Sequence, residues 1–284
     1  MPRYVRVREL LVGIEGLALL RELFSGSDES AQRRIDEVKQ LVGDAEAERY
    51  ARGAVTPELE VTEGYARWST TYDAPGNSLV SAEQAVMWEL LDAVPPGRAL
   101  DAACGTGRHA QRLAHNGHDV TGIDATAEML ARAAEKVPAG RFQTGDLMAL
   151  PSPDRSFDLV VCALALDHVA DLAGAVAELA RVLAPGGELL ISDLHPVIRA
   201  IGAAAFFRDA QGASAFVRGH PHSHADYLDA FAAAGLTVRR CIEPTFGAAE
   251  VKMQQPAWSL LPDATTAAYL GLPLALIWQL TPSA

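Results

Sequence analysis

Several acidic side chains and two glycines in this chain have the types and spacing to surround one ligand. The first run is Leu100-Asp101-Ala102-Ala103-Cys104-Gly105-Thr106-Gly107, an apolar stretch of strand character entering a Gly-x-Gly turn that opens a helical stretch. Glycine at 105 and 107 permits tight turning and lets a ligand reach the backbone without meeting a Cβ, while a helix start offers unpaired N–H donors. A nucleotide-like ligand is implied. Gly105-Thr106-Gly107-Arg108-His109-Ala110 also satisfies the dinucleotide pattern with alanine in third place, so the turn alone does not choose between cofactors. Asp101 helps to choose, because a carboxylate there repels a pyrophosphate and favours an ammonium or a sulfonium. Its plainer reading is a strand-end acid that caps or hydrates a turn.

Two more acids follow at strand-end positions. Gly122-Ile123-Asp124 places a carboxylate 17 residues after Gly107, about where dinucleotide-binding folds grip a ribose diol with charge-assisted hydrogen bonds. Asp124 is equally suited to cap the helix expected from Thr126. Gly145-Asp146-Leu147 sets a third acid at the same expected edge, where it can accept from an exocyclic adenine amine. Among the histidines, His195 in Asp193-Leu194-His195-Pro196 follows a strand and is a candidate general base or acceptor contact, against the alternative of a structural imidazole. His220-Pro221-His222-Ser223-His224 has a metal-like look, but Pro221 disrupts a regular strand and no acid or cysteine complements it at zinc-site spacing, so no metal is expected. His168 follows a strand and is placed to line a pocket. His109, His115 and His118 are expected on or beside a surface helix.

The elements that must position these residues alternate from Arg98 onward. Strands are expected at 99–103, 119–123, 141–144, 157–162 and 188–192, with helices near 107–116, 126–136 and 171–183, the last ended by Pro185-Gly186-Gly187. This rhythm predicts an α/β fold with a parallel sheet covered by helices on both faces. Upstream, Leu10, Leu11, Ile14, Leu17 and Leu20 recur at helical spacing, a charged helix is expected over about 29–53, and another helix near 79–93 stops at Val94-Pro95-Pro96-Gly97. The N-terminal apolar stripe must pack on its own chain or on a second copy, since isolated helices of about 12 residues are marginal in water; packing in cis is the simpler expectation. Near the end, a helix at 223–234, a strand at 236–243 and a strand at 272–280 are expected, the two strands pairing antiparallel at a sheet edge. Residues 206–217 read as a turn between short extended pieces that cover the strand ends.

Composition excludes several classes. The chain has 284 residues, 49% hydrophobic and 21% charged, which fits a folded α/β domain with additions. Its 24 basic against 36 acidic residues give a formal charge of −12, a field that repels nucleic-acid phosphates. Cys104, Cys162 and Cys241 fit neither a disulfide framework nor a zinc knuckle. Glu9, Glu15 and Arg21 interrupt the N-terminal apolar stretch, and no run reaches the ~18 apolar residues of a membrane span. A cytoplasmic protein with a small-molecule partner is expected.

The strings LDAACGTG, VTGIDATAEMLARA, FQTGDLMALP, FDLVVCALALDHV and LARVLAPGGELLISDLHP, in that order between Ala99 and Pro196, resemble class I S-adenosylmethionine-dependent methyltransferases, especially the small-molecule, methyltransferase type 11-like group. The resemblance implies a Rossmann-like, doubly wound, mostly parallel seven-stranded sheet with an antiparallel edge strand, here behind a helical N-terminal extension. It implies domains at 1–60 (helical extension), 61–97 (lid and lead-in helix) and 98–284 (cofactor-binding domain with a substrate cover at about 195–225). It implies S-adenosylmethionine as cofactor and S-adenosylhomocysteine as product. Gly105 and Gly107 then face the methionine portion with Asp101 near its amino group. Asp124 holds the ribose, Asp146 takes the adenine amine, Leu147 and Ala125 flank the base, and Ala163 touches the adenosine. Cys104 is a small buried filler in this scheme. Tyr65-Ala66-Arg67-Trp68-Ser69-Thr70-Thr71-Tyr72-Asp73 resembles the family's lid, from which Tyr72 reaches the cofactor carboxylate; Tyr65 and Trp68 read as packing aromatics and Arg67 as an ion-pair partner. His222 opens a stretch that in the family lies near the acceptor.

Methyl transfer from a sulfonium is an in-line displacement in which positioning and exclusion of water do most of the work. His195 and His222 are the expected proton acceptors or acceptor contacts. The lid, the 195–225 cover and a 245–271 loop are expected to select a small, partly hydrophobic acceptor. A protein that binds the sulfonium without transferring methyl, as a binding module or cyclase, is the alternative. A nicotinamide-dependent oxidoreductase is disfavoured by Asp101 and by the lack of a Tyr-x-x-x-Lys set.

Overall fold

The computed structural model describes residues 3–43, 50 and 53–283. These form two compact units. One comprises the described residues up to Glu58 with Gly76–Ala82 and Thr245–Leu272; the other comprises Leu59–Pro75, Glu83–Pro244 and the described residues from Pro273 onward.

The larger unit is built on seven strands: β1 (Arg98–Ala102), β2 (Asp119–Asp124), β3 (Arg141–Thr144), β4 (Phe157–Ala163), β5 (Leu183–Leu194), β6 (Leu236–Ile242) and β7 (Ala275–Pro282). Their order is β6-β7-β5-β4-β1-β2-β3. All neighbours from β5 to β3 are parallel, and β7 lies antiparallel between β5 and β6. Strands β1, β4 and β5 read as nearly unbroken apolar runs because helices cover both of their faces. On one face Leu100, Val160, Ile191 and Trp278 pack with Val176 and Leu179 of the helix Leu172–Val182 and with Tyr227 and Phe231 of the helix His224–Ala233. On the other, Ala99, Val161 and Ile277 pack with Met87 and Leu91 and with Ala110 and Leu113 of the helix Arg108–His115. The sheet order reverses between β1 and β4, the place where open α/β sheets bind ligands beyond the strands' carboxyl ends.

Three local outcomes differ from the sequence expectations. Pro185-Gly186-Gly187 does not separate a helix from a strand: the helix stops at Val182, β5 starts at Leu183, and the three residues form an irregularity between the pairs Phe157–Leu183 and Leu159–Glu188, with Gly186 at φ +77°. The charged helix expected over 29–53 spans Asp28–Gly43; Gly53–Thr56 is a short strand paired antiparallel with Arg3–Arg6, and 44–49 and 51–52 lie outside the described residues. The 245–271 segment is not a loop but three short helices, Ala248–Lys252, Ala257–Leu260 and Pro262–Tyr269, the last started by proline where a missing N–H costs nothing.

These helices complete the smaller unit. Ala257, Ala264 and Ala268 bury against Leu11, Ile14 and Ala18 of the helix Val7–Arg21, the small side chains allowing close approach, and Arg21 donates to the Ala268 and Leu270 carbonyls. The N-terminal stripe therefore packs in cis over these positions, although Leu20 is 72% exposed. Residues 245–272 thus group with the N-terminal helices and not with a continuous domain from 98 onward. Among the described residues no helix is long and apolar enough to cross a membrane.

Candidate functional site

In the larger unit, a cavity of about 240 Å³ opens at the carboxyl ends of β1, β2, β3 and β4. Its floor is the turn after β1. Ala103 and Gly105, at φ 57° and 52°, both lie in the left-handed region, as does Leu164 after β4 at φ 56°, and all three line the cavity. Left-handed backbone at non-glycine residues carries strain that the surrounding structure must hold, and it gathers at ligand sites.

Asp124 ends β2 with both oxygens engaged: Oδ2 accepts the Gly105 N–H and Oδ1 the Thr126 N–H, each at 2.8 Å. One carboxylate therefore shapes the glycine turn and starts the next helix, and each oxygen retains acceptor capacity towards the cavity. Burial raises its pKa, opposed by these backbone donors. Asp146 lines the cavity beyond β3, one oxygen fixed by the Met148 N–H at 2.9 Å. Ala125, Leu147, Ala163 and Tyr72 line it as well.

Asp101 and Gly107 do not. Within β1 the side chains alternate, so Asp101 shares a face with Ala99 and turns to the helix Arg108–His115, where Oδ2 accepts the Ala110 N–H at 2.8 Å. It is 1% exposed, and burial pushes its pKa up to about 6. Gly107, at φ +81°, is the N-cap of that helix, and a Cβ there would sit 2.9 Å from Ala133. Both residues shape the turn from behind. Cys104 is buried as expected of a filler, and burial pushes its thiol far above the ordinary range.

Behind the turn lies a network whose members no single sequence spacing connects. Glu83, fully buried, accepts from Arg108 at 2.7 Å, His109 Nε2 at 3.0 Å and Ser192 at 2.8 Å. Burial disfavours its charge, but His109 and Arg108 outweigh it and hold the pKa near 2. His109, expected on a surface helix, is on the buried face with Ala110 and Leu113, a placement its helical spacing from Leu113 signals.

The helix Val61–Trp68 and the residues after it cover the cavity. Trp68 stacks on Phe207 of the hairpin Ala205–Arg208/Ser214–Val217, with centroids 5.0 Å apart and planes at 9°. Arg67 pairs with Asp209 at 2.6 Å, and Asp73 accepts from Thr106 at 2.7 Å and Lys136 at 2.6 Å, tying the segment to the glycine turn. Tyr65, expected to be a packing aromatic, instead lines the cavity, its hydroxyl 2.8 Å from His168 Nε2.

His195 and His222, the expected acceptor-side histidines, do not line it. His195 Nδ1 accepts the Val197 N–H at 3.2 Å, capping the helix Pro196–Ala200, so Nε2 carries the hydrogen and donates to Glu243 at 2.9 Å. His224 Nε2 lies 2.8 Å from the same Glu243 oxygen. Glu243 is the acid that sequence spacing could not show, brought in from the end of β6. A divalent ion held by these three groups would require the opposite tautomer at His195, setting an N–H against the Val197 N–H; the arrangement is a hydrogen-bonded staple of three chain segments. His222 Nε2 is 2.8 Å from the Val169 carbonyl oxygen. His168 is the histidine that faces the cavity.

The family described as a methyltransferase domain matches residues 100–191. A malonyl-[acyl-carrier protein] O-methyltransferase of Erwinia billingiae is 44% identical over 97 residues, 34% of this chain and 39% of that protein. A demethylmenaquinone methyltransferase of Renibacterium salmoninarum is 33% identical over 173 residues, 59% of this chain and 63% of that protein. The chain thus spans less than two thirds of the length of these curated relatives. An S-adenosylmethionine-dependent methyltransferase structure from Mesorhizobium loti shares the fold, with a TM-score of 0.54 at 23% identity over 71% of this chain and 99% of that one. The matched domain lies across β1 to β5, among them the strands whose ends form the cavity, and the sheet order is the fold shared with that methyltransferase structure.

Proposed function

We propose that the larger unit binds S-adenosylmethionine in the cavity and transfers its methyl group to a small-molecule acceptor by in-line displacement, releasing S-adenosylhomocysteine. The observation that carries this reading is the convergence of Gly105, Asp124 and Asp146 from three successive strand ends on one cavity. Asp124 takes the ribose hydroxyls, Asp146 the adenine amine with Leu147 and Ala125 beside the base, and the turn at Gly105 faces the methionine portion. Ala163 lies against the adenosine and Tyr72 closes over the carboxylate. Asp101 and Gly107 serve by holding the turn, not by contact. The relatives are named for acceptors as different as a malonyl-acyl carrier protein and demethylmenaquinone, so the donor half of the site is what this chain shares with them. Its acceptor end is bounded by Tyr65, Leu164, Ala165, His168 and Val169, a mostly apolar wall that suits a partly hydrophobic metabolite.

Calorimetric titration with S-adenosylmethionine, S-adenosylhomocysteine and NADH tests the donor site. The two adenosyl ligands are expected to bind and NADH is not. Binding of NADH alone overturns the proposal.

A further inference from the structure

The acceptor end of the cavity carries a pair of polar groups with defined proton positions. His168 Nδ1 lies 3.3 Å from the backbone carbonyl oxygen of Arg218, which can only accept, and the contact is a hydrogen bond when Nδ1 carries the ring's hydrogen. Nε2 is then the lone-pair nitrogen, and the Tyr65 hydroxyl donates to it at 2.8 Å. The Tyr65 oxygen keeps its own lone pairs, and both residues line the cavity. Resting on the donor-site reading above, we infer that Tyr65 and His168 form a proton relay that selects a hydroxyl acceptor, a phenol or an enol.

As the acceptor oxygen attacks the methyl carbon, its proton passes to the Tyr65 oxygen while the Tyr65 proton passes to His168 Nε2. The new O–C bond forms as the S–C bond breaks with its electron pair left on sulfur. The positive charge lost by the sulfonium reappears on the imidazole, which later releases the proton to water. The surroundings suit that transfer. Asp167 Oδ1, 3.3 Å from His168 Nε2 and on a carboxylate paired with Arg199, faces a lone pair in the neutral ring and an N–H in the imidazolium, so the contact favours the protonated ring. Asp193, buried with its carboxylate accepting from Tyr227 at 2.8 Å, adds a second negative field. Burial, with Tyr72, Asp193 and Asp124 nearby, pushes the Tyr65 pKa well above its usual value against the opposing Arg199, so the hydroxyl hands on its proton as it takes the acceptor's and is never a free phenolate. In the resting site burial holds the His168 pKa below its usual value, so the ring waits neutral. A carboxylate acceptor has no proton to give at neutral pH, and a neutral amine attacks through its lone pair and can shed its proton to water after transfer, so neither needs the pair.

The test uses methyl-tritiated S-adenosylmethionine with 4-nitrophenol, catechol and 1-naphthol, against benzoate and benzylamine. Methylation of a phenol is expected, without turnover of the other two. Tyr65→Phe, which keeps the ring against Trp68 and Tyr72, and His168→Gln are each expected to lower kcat about 100-fold, with acceptor KM and S-adenosylhomocysteine Kd within threefold of wild type. The acid limb of the wild-type kcat profile, set by His168, disappears in His168→Gln. Turnover of no phenol, an acid limb that survives in His168→Gln, or a Tyr65→Phe enzyme within threefold of wild type overturns the relay. Should His168→Gln fail to fold, Tyr65→Phe decides alone. Failure of the wild type to bind S-adenosylhomocysteine sinks the donor-site reading instead.

Discussion

Replacing Asp124 with asparagine keeps the side chain's shape and removes its charge, so it isolates what the carboxylate does for the donor. In the free protein its oxygens already accept the Gly105 and Thr126 N–H groups at 2.8 Å, and the capacity left over is what a ribose diol would use. A hydrogen bond to a charged group is worth roughly 1.5–3 kcal/mol. Two at the lower end come to about 3 kcal/mol, and the weaker bond that an amide oxygen can still accept returns part of that. A net loss of about 2–3 kcal/mol corresponds to a Kd for S-adenosylhomocysteine about 30- to 150-fold weaker, measured by calorimetry. The asparagine NH₂ must also face one of the two backbone N–H donors, an unsatisfied contact of about 1–3 kcal/mol that lowers stability. That disturbance would weaken any ligand of the turn, so the decisive comparison is between S-adenosylhomocysteine and its 2′-deoxy analogue. Wild type is expected to prefer the ribose form about tenfold and Asp124→Asn to lose the preference. Parallel weakening of both ligands, or a Kd within threefold of wild type, refutes the ribose assignment.

Glu83→Gln leaves Arg108, whose side chain is only 13% exposed, beside a neutral amide, and is expected to destabilise the protein by about 3–5 kcal/mol, the usual cost of breaking a buried ion pair, read from urea unfolding. A loss under about 1 kcal/mol would show that Arg108 swings to water. The pH dependence of stability should change sign. Asp101 and Asp193 are raised by burial from 3.8 to about 6, so their contribution is full below the unfolded value and is lost as pH rises through 6; the urea midpoint is expected to climb from pH 7.5 to 5 and Asp193→Asn to flatten the climb. Glu83, held near 2 against an ordinary 4.5, contributes above 4.5 and loses that contribution as pH falls towards 2, so the midpoint turns down below about 4.5. A midpoint that falls steadily from pH 7.5 to 5 contradicts this assignment.

What the sequence made legible follows from how local each signal is. Strands β1, β4 and β5 announce themselves because burial on both faces demands continuous apolar runs, and Asp124 and Asp146 because a strand end followed by a turn is a local event. Asp101 was misplaced despite a local signal. It lies inside β1 and not at its end, and alternation from Leu100 and Ala102 turns it to the helix behind the sheet. Pro185-Gly186-Gly187 misled because a bulge and a chain break use the same residues. The helices of 245–272 were hidden by alanine, which gives no strong apolar stripe but packs closely against Leu11 and Ile14.

The acceptor end was illegible for a different reason. The adenosyl site proposed above uses backbone and one acid per strand end, so its residues keep fixed places in a βαβ series and leave a motif. The proposed acceptor wall is assembled from Tyr65 on the covering helix and from Leu164, Ala165, His168 and Val169 after β4, with Phe207 on the hairpin stacked on Trp68 of that helix. No spacing connects residues 65, 168 and 207. His195 and His222 sit at positions that look just as available in sequence, yet their nitrogens are committed to Val197, Glu243 and the Val169 carbonyl. A histidine after a strand becomes chemistry only if tertiary packing leaves a lone pair facing a cavity, and in this chain that condition selects His168, through a tyrosine that reads in the sequence as a packing aromatic.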